Sequence, residues 1–482
     1  MDRIVELTLD SIAHGGEAIG RHAGKTVFVP YAIPGERVRA EIVEEKERWA
    51  RARLLAVLTP SPDRIEPPCP YFGPDACGGC QWQHIAYERQ AELKREIVVD
   101  QLRRLGRIAS PPVADTLVLA APQQERSRHP ERSPERSAAE SKDGVEGACG
   151  AVIAKAASFD SASRPSTPAT NDVASAQDAS GKQEEEPLEL LEYGYRNHAQ
   201  FAVTADGRLG YRRGGSHELI AVDHCLLLDD RLDELHAGLD VAGAGLTGVS
   251  LRAGVNTDQA LILFETADAA APELEIELPA ACALLTPDGV QPLIGEPWIE
   301  EEVAGRRYRI SAESFFQVNT AGADALVAVV TEYAQLRPDD VLLDAYCGVG
   351  LFALALADRA AEVIGIEASP SACEDFAFNA GDRPNVTLHE GAVEEVLPAL
   401  RAQGQRVDVT VMDPPRAGAG PEVIRELAAL GPRRIVYVSC DPATLARDAV
   451  LLTAAGYRLT EAQPVDLFPQ TFHVETVALW ER

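Results

Sequence analysis

The chain contains no run of 18 apolar residues, so it offers no candidate for a membrane-spanning helix. Its start, MDRIVELTLDSIAHGGEAIG, lacks a basic stretch followed by an apolar one. No signal peptide is read there, and the cytoplasm is the expected compartment. Basic charge is scarce: 45 Lys and Arg stand against 75 Asp and Glu, a net charge of −30. That deficit excludes indiscriminate binding to a polyanion. Nine cysteines in 482 residues are too few for a disulfide scaffold. Hydrophobic residues make up 46% and charged ones 25%, which excludes a wholly disordered or collagen-like chain. The length implies two to four domains.

Charge is unevenly spread. Residues 1–58 carry nine basic and nine acidic side chains and are neutral within an acidic protein. Tyr193–Gly214 holds Arg196, Arg208, Arg212 and Arg213 against Asp206 alone. A local basic surface is compatible with a negative total.

The periodicity divides the chain. IVELTL, KTVFVPYAI, ERVRAEIVEE and RARLLAVLT read as short strands broken by Gly and Pro, which predicts a small closed, OB-like barrel over 1–60. His84–Leu105 has helical spacing. Residues 122–187 are rich in Ser, Ala, Pro, Glu and Gln and nearly lack aromatics; they are expected to be a disordered insertion. Residues 108–121 and the alternating segments of 190–310 predict a mostly antiparallel central domain, spanning 61–310 and split by that insertion. From 311 to 482, strands alternate with helices, as in a Rossmann-like parallel sheet. The fold class is therefore multi-domain α/β: an N-terminal β-barrel, a β-rich centre and a C-terminal Rossmann-like domain.

Chemistry-bearing residues gather at predicted strand ends. Asp344-Ala-Tyr-Cys-Gly-Val-Gly350 follows an apolar strand, and Glu367 ends the next strand 23 residues later. A Gly-rich turn followed by an acidic residue suits a ribose-bearing cofactor, either a dinucleotide or S-adenosylmethionine. The acidic residue before the turn favours S-adenosylmethionine. Asp413-Pro414-Pro415-Arg416 and Ser439-Cys440-Asp441-Pro442 each follow a further strand. Cys440 is thus a nucleophile candidate, whereas Cys282 and Cys373 read as structural. Glu475, in Phe472-His473-Val474-Glu475, is a general-base candidate. Cys69-x7-Cys77-x2-Cys80 supplies three soft metal ligands, with Cys225 or Cys149 as the fourth. The spacing does not match the C-x3-C-x2-C of radical S-adenosylmethionine enzymes.

Six ordered motifs, FQVN at 316–319, DAYCGVG at 344–350, GIE at 365–367, DPPR at 413–416, SCDP at 439–442 and HVE at 473–475, carry a resemblance. The chain resembles the S-adenosylmethionine-dependent RNA uracil-5-methyltransferase family. It is most similar to the 23S rRNA branch, which bears a TRAM domain and a [4Fe–4S] cluster. The resemblance implies that Cys440 is the nucleophile and Glu475 the proton acceptor. It implies that Gln317, Tyr346, Glu367 and Asp413 bind S-adenosylmethionine, and that Cys69, Cys77, Cys80 and Cys225 hold the cluster. It further implies an RNA partner, 23S rRNA, engaged by the barrel and by 193–214, and a monomeric enzyme away from membranes. Leu351 departs from the family by standing where a polar residue is frequent, and the insertion has no family counterpart. Three alternatives stand beside this reading. A cytosine-5 methyltransferase would carry a second Cys where Arg416 follows Pro415. A tRNA substrate would keep the chemistry. A non-catalytic RNA-binding protein would bind without turnover.

Overall fold

A computed structural model describes residues 3–120, 152–154, 190–267 and 274–482. The expected insertion, apart from 152–154, lies outside the described residues, as does Cys149.

Strands Ile4–Ile12, Ala18–His22, Lys25–Val29, Trp49–Thr59 and Arg37–Glu45 close, in that spatial order, into a barrel. Alternation builds it: Val5, Leu7 and Leu9 point inward while their neighbours face water. Gly20 is required because a Cβ there would lie 2.6 Å from the Thr8 carbonyl oxygen. The barrel does not end its core at residue 60. Trp82, Ile85, Leu93 and Ile97 pack into the same cluster, the last two from the helix Tyr87–Arg104.

The central sheet has seven strands, ordered Gly289–Ile294, Ala281–Thr286, Gln259–Thr266, Leu246–Gly254, His198–Val203, Leu209–Arg212 and Leu219–Ala221. Its pairings are antiparallel except that between Gln259–Thr266 and Ala281–Thr286. Residues 108–120 do not join this sheet, contrary to the expectation. Val113 and Leu117 instead bridge Ala462 and Val465 at the edge of the C-terminal sheet. The backbone there exchanges bonds such as Ala114 N to Ala462 O and Ala462 N to Pro112 O, both 2.9 Å. The segment covers an otherwise open sheet edge.

The C-terminal sheet runs Val386–Glu390, Glu362–Glu367, Val341–Ala345, Val409–Met412, Arg434–Ser439, Glu475–Glu481, Arg458–Val465. The first five are mutually parallel, and Glu475–Glu481 is antiparallel to both neighbours. Val341–Ala345 and Val409–Met412 are buried at every position, as strands covered on both faces must be. One face packs helices Thr320–Ala334, Leu351–Leu356 and Pro370–Ala380. The other packs Val393–Ala402, Gly420–Leu430, Pro442–Ala454 and the end of Tyr87–Arg104. The hairpin Trp298–Val303/Arg306–Ser311 buries Ile299, Val303, Tyr308 and Ile310 in the first of these cores.

Candidate active site

Open parallel sheets bind ligands at the carboxyl ends of their strands. Asp344 is the penultimate residue of the strand Val341–Ala345, fully buried. Its Oδ2 accepts from Ala353 N at 2.7 Å, and Oδ1 is buried without a partner. Burial, reinforced by the charges of Asp413 and Glu367, holds its carboxyl well above the usual range. The following turn is left-handed at Tyr346, Gly348 and Gly350, with φ of +69°, +53° and +99°. A Cβ at Gly350 would lie 2.7 Å from Leu354 Cδ1, so the turn needs glycine there. Glu367 caps the arrangement. Its Oε2 accepts from Gly348 N at 2.9 Å, and its Oε1 from Ala368 N and Ser369 N at 2.8 and 2.7 Å. These bonds fix the carboxylate at the mouth of the cleft.

The next two strand ends carry Asp413 and Cys440. Gln317 Nε2 donates to Asp413 Oδ2 at 3.5 Å, which brings the FQVN segment onto the same cleft. Asn319 of that segment caps the helix Thr320–Ala334 by accepting from Gly322 N, and donates to Leu467 O at 3.1 Å. Sheet register then joins the last two candidates. Ser439 stands opposite Thr476 in the antiparallel pairing, so Cys440 and Glu475 are the next residues out on adjacent strands. Glu475 is 4% exposed, and its Oε2 is buried without a partner.

The electrostatics of this group are those of crowded, desolvated acids. Burial raises Asp413 to about 7. Burial first, and the Asp413 charge second, push Glu475 well above the carboxylate range, while Arg416 opposes the shift. Cys440 is pushed up to about 12 by burial, then by Glu475 and Asp413, with Arg416 again opposing. The thiol is therefore protonated at neutral pH before a ligand arrives. The geometry sets a thiol, two carboxyls and one guanidinium within electrostatic reach of each other.

The connection that leads into Glu475 is held from several elements. Asp466 Oδ1 accepts from the Lys94 ammonium at 2.5 Å, with both side chains wholly buried. Lys94 also donates to Phe468 O at 3.0 Å. Gln470 adopts φ +67°, rare for a residue with a side chain. Its backbone and amide are clamped by Gln90, Gln81 and Trp82: Gln90 Nε2 donates to its Oε1 at 2.9 Å, and Gln81 N and Trp82 N donate to its carbonyl at 3.1 and 3.0 Å. Tyr195 donates its hydroxyl to Pro469 O at 3.0 Å.

The same clamp adjoins the cysteines. Cys69, Cys77, Cys80 and Cys225 line one cavity of about 350 Å³. Among the described residues, no three His, Cys, Asp or Glu side chains converge closely enough to hold a single metal ion. Arg196 lines that cavity, and its Nε is buried without a hydrogen-bond partner. Burial raises all four thiols, Cys80 to about 12 and Cys225 to about 11. Cys282 and Cys373, read as structural, are both buried.

Arg196 revises the reading of 193–214 as an open basic surface. It faces the cysteines; Arg208 pairs with Asp223, and Arg213 bonds to Asp75 O and lies 3.6 Å from Glu218. Asp223, fifteen residues after Arg208, and Glu218, five after Arg213, offset part of a run that looks basic alone. Two site features went unassigned in the sequence. Arg416, the residue after the two prolines, is the cation whose charge opposes the raised Glu475 and Cys440. Phe315, beside Gln317, is 69% exposed, an unusual position for a large aromatic. Its place directly before the FQVN motif's Phe316 was the available signal.

Residues 3–55 match the TRAM domain, and residues 294–482 match the family described as tRNA (Uracil-5-)-methyltransferase. An uncharacterized RNA methyltransferase of Streptomyces coelicolor is 37% identical over 99% of this chain and 92% of its own length. One from Halalkalibacterium halodurans is 31% identical over 99% and 97%. The chain belongs to the RNA uracil-5-methyltransferase family. The crystal structure of the Pyrococcus abyssi tRNA (uracil-54, C5)-methyltransferase with S-adenosyl-L-homocysteine shares the fold, with a TM-score of 0.66 at 23% identity, covering 98% of this chain and 99% of that one. This S-adenosylmethionine-dependent methyltransferase contains, among its described residues, no helix long and apolar enough to cross a membrane.

Asp413 gives the methyltransferase a pH-dependent stability. Its folded value, about 7, exceeds the unfolded 3.8. Such an acid favours the fold below about 4 and loses that contribution as pH rises through about 7. Asp413→Asn should therefore raise the melting temperature at pH 8 and raise it less at pH 5. Melts at both values check this; a gain that is larger at pH 5 contradicts it.

Proposed function

We propose that this methyltransferase methylates carbon 5 of a uridine in 23S rRNA through a covalent adduct between Cys440 and carbon 6 of the base. In this reading the 1–60 barrel and the 61–310 domain hold the RNA, and the 311–482 domain performs the transfer. The observation that carries it is the pairing of Cys440 with Glu475 across adjacent strands, with Asp413 beside them.

Carbon 5 of uracil is a weak nucleophile. Once its proton has left to solvent, the Cys440 sulfur adds to carbon 6 as the thiolate, which moves the ring electrons towards oxygen 4 and makes carbon 5 nucleophilic. S-adenosylmethionine, when bound, supplies an electrophilic methyl group. Gln317, Tyr346, Glu367 and Asp413 would hold it, Glu367 through the ribose hydroxyls. Attack of carbon 5 on that methyl would break its bond to sulfur, release S-adenosyl-L-homocysteine and leave carbon 5 with both the methyl and its original proton. Glu475 removes that proton, the bond from carbon 6 to sulfur breaks, and the 5-methyluridine leaves. A base with a raised pKa is suited to this task near neutrality. Arg416 offsets the acids that disfavour the thiolate. The target atom is inaccessible in a stacked helix, so the uridine enters flipped out of a loop. Exposed Phe315 suits stacking on that base.

Cys69, Cys77, Cys80 and Cys225 would hold a [4Fe–4S] cluster. The shared cavity that the four cysteines line and the buried, unpartnered Arg196 Nε are what support an anionic occupant there. Methyl transfer moves no electrons, so the cluster's role is to support structure or face the RNA. The barrel and this site favour rRNA; tRNA is the second reading, since the matching family is described by that substrate.

Two measurements check the proposal. Glu475→Gln, incubated with substrate RNA and S-adenosylmethionine, should accumulate a protein–RNA adduct that survives denaturing gels and disappears in Cys440→Ala. Its absence would place the base elsewhere. Protein purified without oxygen should contain about four iron and four sulfide per chain; one zinc and no sulfide would reject the cluster.

A further inference from the structure

The first turn of the barrel, residues 13–17, lies against both catalytic segments. The turn is closed by Ala13 N to Glu17 O at 2.8 Å and Gly16 N to Ala13 O at 2.9 Å. Gly16 has φ +79°, and a Cβ there would lie 2.6 Å from Phe472 Cβ, so the turn sits directly on the FHVE segment. Trp82 donates its indole N–H to Gly16 O at 3.1 Å and fixes the turn from behind. From this platform His14 Nε2 reaches Asp441 Oδ2 at 3.3 Å, and 427 residues of sequence separate the two.

Asp441 directly follows Cys440. Its two carboxylate oxygens do different work. Oδ1 accepts from Ala443 N and Thr444 N at 2.8 and 2.9 Å and caps the helix Pro442–Ala454. Oδ2 takes the barrel histidine. On the other side of Cys440, the Ser439 hydroxyl donates to Asp441 O at 3.1 Å. The backbone on both sides of the nucleophile is thus pinned, and the pin that comes from outside the C-terminal sheet is His14.

We propose that the barrel turn is a wall of the catalytic chamber and that His14 is a positioning residue that orients the Cys440 turn through Asp441. The inference rests on the Cys440–Glu475 reading above and extends it, because the barrel then does more than tether RNA. His14 aligns the sulfur for attack and leaves overall RNA affinity to other contacts. Asp441 is also one of the acids whose charge disfavours the Cys440 thiolate. A donor on its Oδ2 draws that charge away from the sulfur.

The test is the single-turnover rate of adduct formation in the Glu475→Gln background at saturating RNA, with RNA affinity measured separately. Loss of a hydrogen bond to a charged group gives an expected slowing of about tenfold or more in His14→Ala. RNA affinity should stay within about twofold. His14→Gln, whose amide nitrogen sits near the Nε2 position, should restore most of the rate, and a purely structural role would not predict that rescue. Equal adduct rates in all three proteins would overturn the inference, as would a loss confined to RNA affinity. Failure to form any adduct with His14 intact would instead reject the Cys440–Glu475 reading itself.

Discussion

The catalytic face depends on one desolvated ion pair. Lys94 on the helix Tyr87–Arg104 and Asp466 at the end of the edge strand are both wholly buried, 2.5 Å apart. Breaking such a pair from one side leaves an uncompensated buried charge and costs about 3–5 kcal/mol. The pair fixes where the 466–474 connection starts, and Gln470, held in a left-handed conformation, fixes its path. The connection ends at Glu475, whose strand register sets it across from Cys440. The helix that supplies Lys94 also packs into the barrel core and follows the cysteine segment. Barrel, cysteine cavity and sheet thus meet on one loop.

That loop borders a site that trades stability for reactivity. Asp344, Asp413 and Glu475 are carboxyls raised by burial in one cleft, with Arg416 as the neighbouring cation. Strongly shifted acids in a cleft are what acid–base chemistry at neutral pH requires. Cys440 shares the penalty. Burial, Glu475 and Asp413 push its thiol up to about 12, with Arg416 opposing.

The parts of this design differ in how legible they are. Strand-end motifs were readable because parallel sheets gather chemistry at carboxyl ends, so Asp344, Glu367, Asp413 and Cys440 could be grouped from order alone. The barrel was readable because inward and outward residues alternate from Ile4 to Asp10 in its first strand. Residues 108–120 were misassigned because a short apolar segment carries no mark of which sheet edge it will cover. The arginines of 193–214 read as an open basic run because Asp223 beside Arg208, the Asp75 carbonyl at Arg213 and the cysteine cavity at Arg196 are brought there by tertiary folding. His14 was illegible for the same reason: a histidine in a glycine turn says nothing about a carboxylate 427 residues away.

The central claim is that this cleft methylates carbon 5 of an rRNA uridine. The most direct measurement is nucleoside analysis after incubating the purified enzyme with radiolabelled S-adenosylmethionine and unmodified 23S rRNA or tRNA. The account predicts label in 5-methyluridine from the rRNA. Label in tRNA alone would contradict the substrate assignment, and label in 5-methylcytidine, or none, would contradict the chemistry.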